Sequence, residues 1–248
     1  MTSLDLTHKI AFVSGGSRGI GAAIALALAD LGADVAITYA NSEKRAEELV
    51  SQIQAKGRKA IAIQADAADP IAIQSAIDQA VAALGGLDIL VNNAAIAIYN
   101  LIQDFNADDI DAMFDTNVKG VILTAKAAIP HLKEHGRIIT IGSAGADRIV
   151  GEPGTVYYMT KAALQAFTRG LARELGFRQI TVNLIQPGST NTESNPADGE
   201  YAEFQRNLIP LGRFGEPEDI AAAVCFLASP AARQISGAIL NVDGGALT

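Results

Sequence analysis

The sequence predicts a doubly wound α/β fold, one parallel sheet with helices on both faces. Three observations lead there. Short β-branched runs alternate with longer amphipathic, alanine-rich segments from beginning to end, the mark of consecutive βαβ units. A glycine-rich turn joins the first such run to the first helical segment. No linker, low-complexity stretch or composition break divides the 248 residues, so a single domain spanning residues 1–248 is expected. Consecutive βαβ crossovers are right-handed, which leaves the doubly wound topology as the simplest solution.

The first strand, Ile10–Val13, runs into Ser14-Gly15-Gly16-Ser17-Arg18-Gly19-Ile20-Gly21, and a helix over Ile20–Leu31 follows. Glycines let a backbone turn tightly and approach a pyrophosphate, while the helix start offers unpaired N–H groups and a positive dipole end. Strand, glycine turn and helix in that order are the context a dinucleotide site requires. The second strand, Val35–Thr38, ends in Tyr39-Ala40-Asn41-Ser42, ahead of a helix over Glu43–Lys56. An acidic side chain there would hold the ribose hydroxyls of NAD and repel a 2′-phosphate. None occurs before Glu43, and Arg18 can meet a phosphate with a charge-assisted contact. Asn41 and Ser42 add neutral hydrogen bonds, so the balance favours NADP(H).

After the third strand, Ala60–Ile63, Asp66 is placed either to accept from an adenine amine or to cap the helix that begins near Pro70 and covers Ile71–Leu84. The fourth strand, Ile89–Val91, precedes Asn92-Asn93-Ala94-Ala95, and the fifth, Ile138–Ile141, precedes Ser143. The sixth, Thr181–Ile185, leads to Pro187-Gly188, and Ile239–Val242 is the seventh. Gly188–Gly215 reads as one long irregular stretch, a length that points to function. Ligands in such folds bind beyond the carboxyl ends of the strands, where each of these motifs falls.

Tyr157 and Lys161 lie four residues apart, on one face of a helix. A phenol is a poor acid or base at neutral pH. A fixed ammonium beside it is expected to lower its pKa and make it usable for proton transfer.

The bulk composition excludes other classes. A net charge of −8 and no basic run argue against nucleic acid as partner. No apolar stretch reaches about 18 residues, so no membrane span is expected, and Met1–Lys9 is too polar for a signal peptide. One cysteine, Cys225, permits no internal disulfide, which suits a reducing cytoplasm; it reads as a buried small hydrophobe. His8, His131 and His135 form no ligand pattern, and no metal site is expected.

Taken together, the glycine turn, Asn92–Ala95, Asn117, Ser143, Tyr157 with Lys161, Pro187-Gly188 and the closing Val242-Asp243-Gly244-Gly245 resemble the short-chain dehydrogenase/reductase family over essentially the whole chain. Within it the chain is similar to bacterial 3-ketoacyl-carrier-protein reductases, and Tyr39–Ser42 looks like the equivalent stretch of polyhydroxynaphthalene reductases. Gln186-Pro187-Gly188 and Glu193–Gly199 resemble a bacterial branch described as binding cyclic dinucleotides and promoting biofilm dispersal. The glycine turn opens on Ser14 where the family usually has threonine. Ser143 precedes Tyr157 by fourteen residues, one more than in many relatives.

The resemblance implies a Rossmann-type seven-stranded sheet and NADPH-dependent reduction of a small-molecule ketone. Tyr157 would be the general acid or base, Ser143 the donor to the substrate oxygen, Lys161 the partner of Tyr157 and of the nicotinamide ribose, and Asn117 the anchor of a relay water. Gly15, Ser17, Arg18, Gly19, Ile20, Gly21, Tyr39, Asn41, Ser42, Asp66, Asn93, Ala94, Tyr157, Lys161, Pro187, Gly188 and Thr192 would border the cofactor. Ile96, Tyr99, Ala144, Ile149, Val150, Pro153 and residues 190–212 would shape an apolar substrate pocket. A homotetramer is implied. Two other readings are a regulator sensing cyclic dinucleotide or NADPH, and an NAD-dependent alcohol or sugar dehydrogenase, against which Tyr39 and Arg18 stand.

Overall fold

The computed structural model describes residues 4–149 and 153–248. Residues 1–3 and Val150, one of the residues expected beside the substrate, lie outside the described residues. Seven strands, β1 (Ile10–Val13), β2 (Asp34–Tyr39), β3 (Ala60–Gln64), β4 (Leu87–Asn92), β5 (Leu132–Ile141), β6 (Thr181–Pro187) and β7 (Ile239–Val242), pair in parallel in the order β3-β2-β1-β4-β5-β6-β7. This is the doubly wound sheet the alternation predicts. Every expected strand is present: β1 and β7 have the expected bounds, and β2, β3, β4 and β6 are longer by one to three residues. β5 starts six residues early, because the polar run Lys133–Gly136 enters the sheet through an irregularity opposite Leu87 and Ile89 and regular register resumes at Arg137.

Among the described residues there are eight α-helices: α1 (Gly19–Asp30), α2 (Glu43–Ala55), α3 (Pro70–Leu84), α4 (Ala107–Phe114), α5 (Gly120–Ala128), α6 (Thr155–Leu175), α7 (Ala202–Asn207) and α8 (Pro217–Ala228). Side chains alternate across a strand, so each strand feeds two cores. Ala11 and Val13 of β1 pack with Ile24 and Leu28 of α1 and with Ile220 and Val224 of α8 on one face. Ile10 and Phe12 pack with Ile73 and Ile77 of α3, and with Ala125 of α5, on the other. Each such fully buried aliphatic side chain contributes about 1.5–3 kcal/mol of transfer free energy. Cys225 lies in the first of these cores, and burial, helped by Asp30, pushes its thiol up to about 12, so it stays a thiol.

Two local expectations change. The helix after β3 is capped by Asp69, whose carboxylate accepts from the backbone N–H groups of Ile71 and Ala72; Asp66 instead accepts from the N–H of Ala68. The stretch Gly188–Gly215 is not irregular throughout, because it holds α7 and a small core of its own, with Ala202, Ile209 and Phe214 buried. Asn195 and Gln205 exchange amide hydrogen bonds across it, and Arg206 donates to the carbonyl of Ala197. Its polar composition hides this helix from a reading by apolar periodicity. No helix among the described residues is long and apolar enough to cross a membrane.

The chain winds outward in both directions from β1, which has β2 on one side and β4 on the other. Such a switch point opens a crevice above the carboxyl ends of the central strands.

Candidate active site

At the mouth of that crevice the glycine turn is held from three sides. Gly15 has φ of 62°, and a Cβ there would lie 2.9 Å from the Cα of Ala94. Its N–H donates to the hydroxyl of Thr38 on β2, 3.0 Å away. The Ser14 hydroxyl accepts from the N–H groups of Asn93 and Ala94, and the Asn93 amide donates back to the carbonyls of Ser14 and Gly15. Serine thus performs the hydrogen bonding expected of a hydroxyl at the first position of the turn. Asn93 and Ala94 act on the shape of the turn, while Ser17, Gly19, Ile20 and Gly21 carry the chain into α1. A Cβ at Gly21 would lie 2.3 Å from the carbonyl oxygen of Gly15, so only glycine lets the helix start this close.

The N-terminus of α1 has neither a side-chain cap at Arg18 nor an acidic residue in its first turn. Unpaired N–H groups and an uncompensated dipole suit a pyrophosphate, and the residues present therefore fit a dinucleotide. The Thr192 methyl group would lie 3.6 Å from a Cβ at Gly19, which brings the segment after β6 against the turn. Gly188 is pressed against Asp243, where a Cβ would lie 2.7 Å from the aspartate Cα, and its N–H donates to Val242; Pro187 ends β6 opposite Val242.

At the adenosine end, Asp66 lines a small cavity with Phe12, Ser14, Thr38 and Ala67. Asn41 is exposed and Ser42 is half-buried at the entry to α2, where its side chain makes no cap bond. Tyr39 is placed differently from its neighbours: its side chain is buried in the core and hydrogen-bonds Glu43, with burial and the carboxylates of Glu43 and Glu47 pushing its phenol up. Arg18 is exposed and shares a carboxylate, Glu193, with Arg45, a residue of the first turn of α2 that sequence reasoning did not single out. Only the fold brings Arg45 to Arg18, and no local spacing announces it.

Ser143, Tyr157 and Lys161 are brought together from the end of β5 and from α6. Ser143 follows β5, and its hydroxyl accepts from the N–H of Gly145 and hydrogen-bonds Tyr157. Lys161 is buried one turn below Tyr157, its Nζ 5.9 Å from the phenol ring centre and 3.0 Å from the carbonyl oxygen of Ile141, to which it donates. Tyr99, in the loop after β4, packs against Tyr157 with ring centres 5.5 Å apart. Tyr158 is turned into the Ser143 loop, where a Cβ at Gly145 or Gly154 would overlap its ring. Tyr158 is thus packed into the loop, while Tyr157 faces Ser143 and Tyr99.

The electrostatics depart from the expectation that an ammonium lowers the phenol. Burial, reinforced by Tyr99 and Tyr158 and opposed by the Ser143 hydrogen bond, holds the Tyr157 phenol well above its ordinary value. Burial also lowers Lys161 to about 8, so the amine is itself on the edge of losing its charge. Desolvation disfavours both charged forms here and outweighs their mutual attraction. At neutral pH the site holds a phenol with its proton in place.

Asn117 is fully buried in a π-turn, Asp115–Lys119, between α4 and α5. Its amide accepts from the N–H of Ile96 and donates to the carbonyl of Ile96 and to the Thr160 hydroxyl, which in turn donates to the carbonyl of Tyr157. The side chain of Asn117, the residue expected to anchor a relay water, is thus engaged in tying the Ile96 loop to α6. Thr160, unnoticed in the sequence, is the link. Asn92 likewise braces the floor by donating to Thr140 of β5.

A dinucleotide cradle at the switch point and a serine–tyrosine–lysine group beside it define a nucleotide-dependent oxidoreductase fold. Residues 15–247 match the family model described as enoyl-(acyl carrier protein) reductase. The chain belongs to the short-chain dehydrogenase/reductase family. It is 42% identical over 263 residues to a versicolorin reductase of Emericella nidulans, covering 99% of each chain. It is 43% identical over 242 residues to a 3-oxoacyl-[acyl-carrier-protein] reductase of Staphylococcus aureus, covering 96% of this chain and 97% of that one. A short chain dehydrogenase from Burkholderia cenocepacia, solved in complex with NADP, is 51% identical and superposes with a TM-score of 0.97 over 98% of this chain and 99% of the other.

Proposed function

We propose that the protein is an NADPH-dependent carbonyl reductase acting on a small ketone with substantial apolar surface. The observation that carries this is the placement of Tyr157 with its ring centre 5.9 Å from the Nζ of buried Lys161 and with Ser143 beside the phenol. A bound NADPH would supply the hydride. The substrate oxygen would sit between the Ser143 hydroxyl and the Tyr157 phenol. Ser143 stabilises the negative charge that develops there, and Tyr157 delivers its proton to the oxygen as an alcohol forms. Lys161, charged below about 8, favours the phenolate left behind. The π-turn at Asn117 interrupts the regular helical ladder, which leaves backbone rather than the Asn117 amide to hold a water reaching toward Lys161.

The substrate side is apolar and aromatic: Tyr99, Tyr201 and Phe204 are each about half-exposed near this end of the sheet or in the segment after β6, and Ile96 and Ile149 are exposed in the adjoining loops. The assembled proton-transfer group favours an enzyme over a purely sensing protein. For the cofactor, Arg18→Ala is expected to weaken NADPH about tenfold or more while NADH changes by less than about threefold, read as two dissociation constants from cofactor fluorescence. Equal losses for both cofactors would return the NAD-dependent reading.

Self-association as a homotetramer is supported by apolar side chains exposed on helices, Ile122 on α5, Met159 on α6 and Phe226 on α8. Sedimentation equilibrium is expected to give four times the 25.8 kDa chain mass, and a monomer would remove the proposal.

A further inference from the structure

We infer that Glu193 sets cofactor preference by competition: its carboxylate occupies the arginine pair that a 2′-phosphate would take, so binding of the phosphate must displace it. The proposal rests on the NADPH reading above and adds to it a residue that works against that cofactor. Both Glu193 oxygens lie 2.5 Å from Nη1 of Arg45, and the Nη1 of Arg18 lies 3.7 Å from one of them. The three residues come from the glycine turn, the first turn of α2 and the segment after β6, so the contact exists only because the fold closes around the adenosine end of the crevice.

Carboxylates and phosphates use the same guanidinium donors, and a site built for one accepts the other. Two guanidiniums facing one carboxylate leave a single net positive charge. A phosphate dianion entering with Glu193 still in place would meet a like charge at close range, whereas a cofactor with a plain 2′-hydroxyl would not. Glu193 has an escape route, since about half of its side chain is already exposed and can turn into water.

The position also links the phosphate to the rest of the segment. Thr192, the preceding residue, lies against Gly19 of the turn, and its backbone exchanges hydrogen bonds with Asn195, whose amide is tied to Gln205 on α7. Releasing Glu193 therefore frees one anchor of the segment that carries Tyr201 and Phe204.

The test uses the full-length protein and its Glu193→Gln and Glu193→Ala variants, with dissociation constants for NADPH and NADH measured by cofactor fluorescence. Calorimetry with 2′-phospho-ADP-ribose and ADP-ribose, which lack the nicotinamide, isolates the phosphate end. Both variants are expected to bind NADPH and 2′-phospho-ADP-ribose roughly 5- to 20-fold more tightly than the parent, with NADH and ADP-ribose within about twofold. NADPH bound by the parent but unchanged or weakened in both variants overturns the competition alone and makes Glu193 an organiser of the arginines. A parent and variants that all ignore the 2′-phosphate overturn the cofactor reading and this proposal together. Circular dichroism of both variants checks that an exposed side chain has been changed without loss of fold.

Discussion

Tyr157→Phe is expected to lower kcat for ketone reduction by about 10³-fold while the NADPH dissociation constant stays within about twofold. The substitution removes one oxygen and leaves the ring, so the contacts with Tyr99 and Tyr158 at 5.5 and 5.2 Å between ring centres persist and the fold is retained. What disappears is the proton source. Ser143 can still donate to the substrate oxygen, but a hydroxyl of ordinary acidity transfers its proton far less readily than a phenol. The hydride step would then leave an alkoxide dependent on water, in a site whose burial disfavours that charge. Tyr158→Phe is the internal control. Its ring packs against Gly145 and Gly154, and the loss there is expected to stay below about threefold. Initial rates with a panel of ketones, beside cofactor titration of both variants, read the two effects separately. Undiminished turnover by Tyr157→Phe would sink the assigned mechanism.

The fold was legible because each βαβ unit advertises itself locally. A buried parallel strand must be apolar on both sides, and a covering helix must be apolar on one, so Ile10–Val13 and Ile20–Leu31 read correctly from a few residues each. The site was legible in part for the same reason. Gly15, Gly21 and Ser14 answer to backbone geometry within a single turn, and Tyr157 and Lys161 to one turn of α6. Arg45, Glu193 and Thr160 have no such local signature. Their roles arise where segments distant in sequence meet, Arg45 with Glu193 and Thr160 with Asn117. Tyr39 shows the converse: its place at the end of β2 suggests a cofactor contact, while its packing among core residues follows from strand alternation, which a local motif does not announce. The balance between desolvation and charge pairing at Tyr157 and Lys161 was hidden as well, because spacing reveals proximity and says nothing about how much water the fold removes.

Lys161→Met tests that balance from the other side and carries the second large effect, an expected loss of about 10²- to 10³-fold in kcat/KM for reduction. Methionine is unbranched and of similar length, so it can occupy the buried channel without opening a cavity. The parent's pH profile gives the more specific reading. Burial brings the amine to about 8, so its charge is lost as pH rises through that value rather than near the ordinary 10.5. The phenol, pushed upward, keeps its proton across the same range. An alkaline decline in kcat/KM for NADPH centred near 8 is therefore assigned to Lys161, and it is expected to vanish in the methionine variant. A limb that survives the substitution would instead belong to Tyr157. Stability should move oppositely to activity. A lysine whose folded pKa lies below its unfolded value makes its full contribution only above about 10.5, and this is lost as pH falls to about 8. At neutral pH the buried charge opposes folding, so Lys161→Met is expected to raise the melting temperature at pH 7, with the gap to the parent closing toward pH 10. A site that is more stable without its charge keeps the lysine for what the charge does to the phenolate, which is the exchange of stability for function expected of a catalytic group.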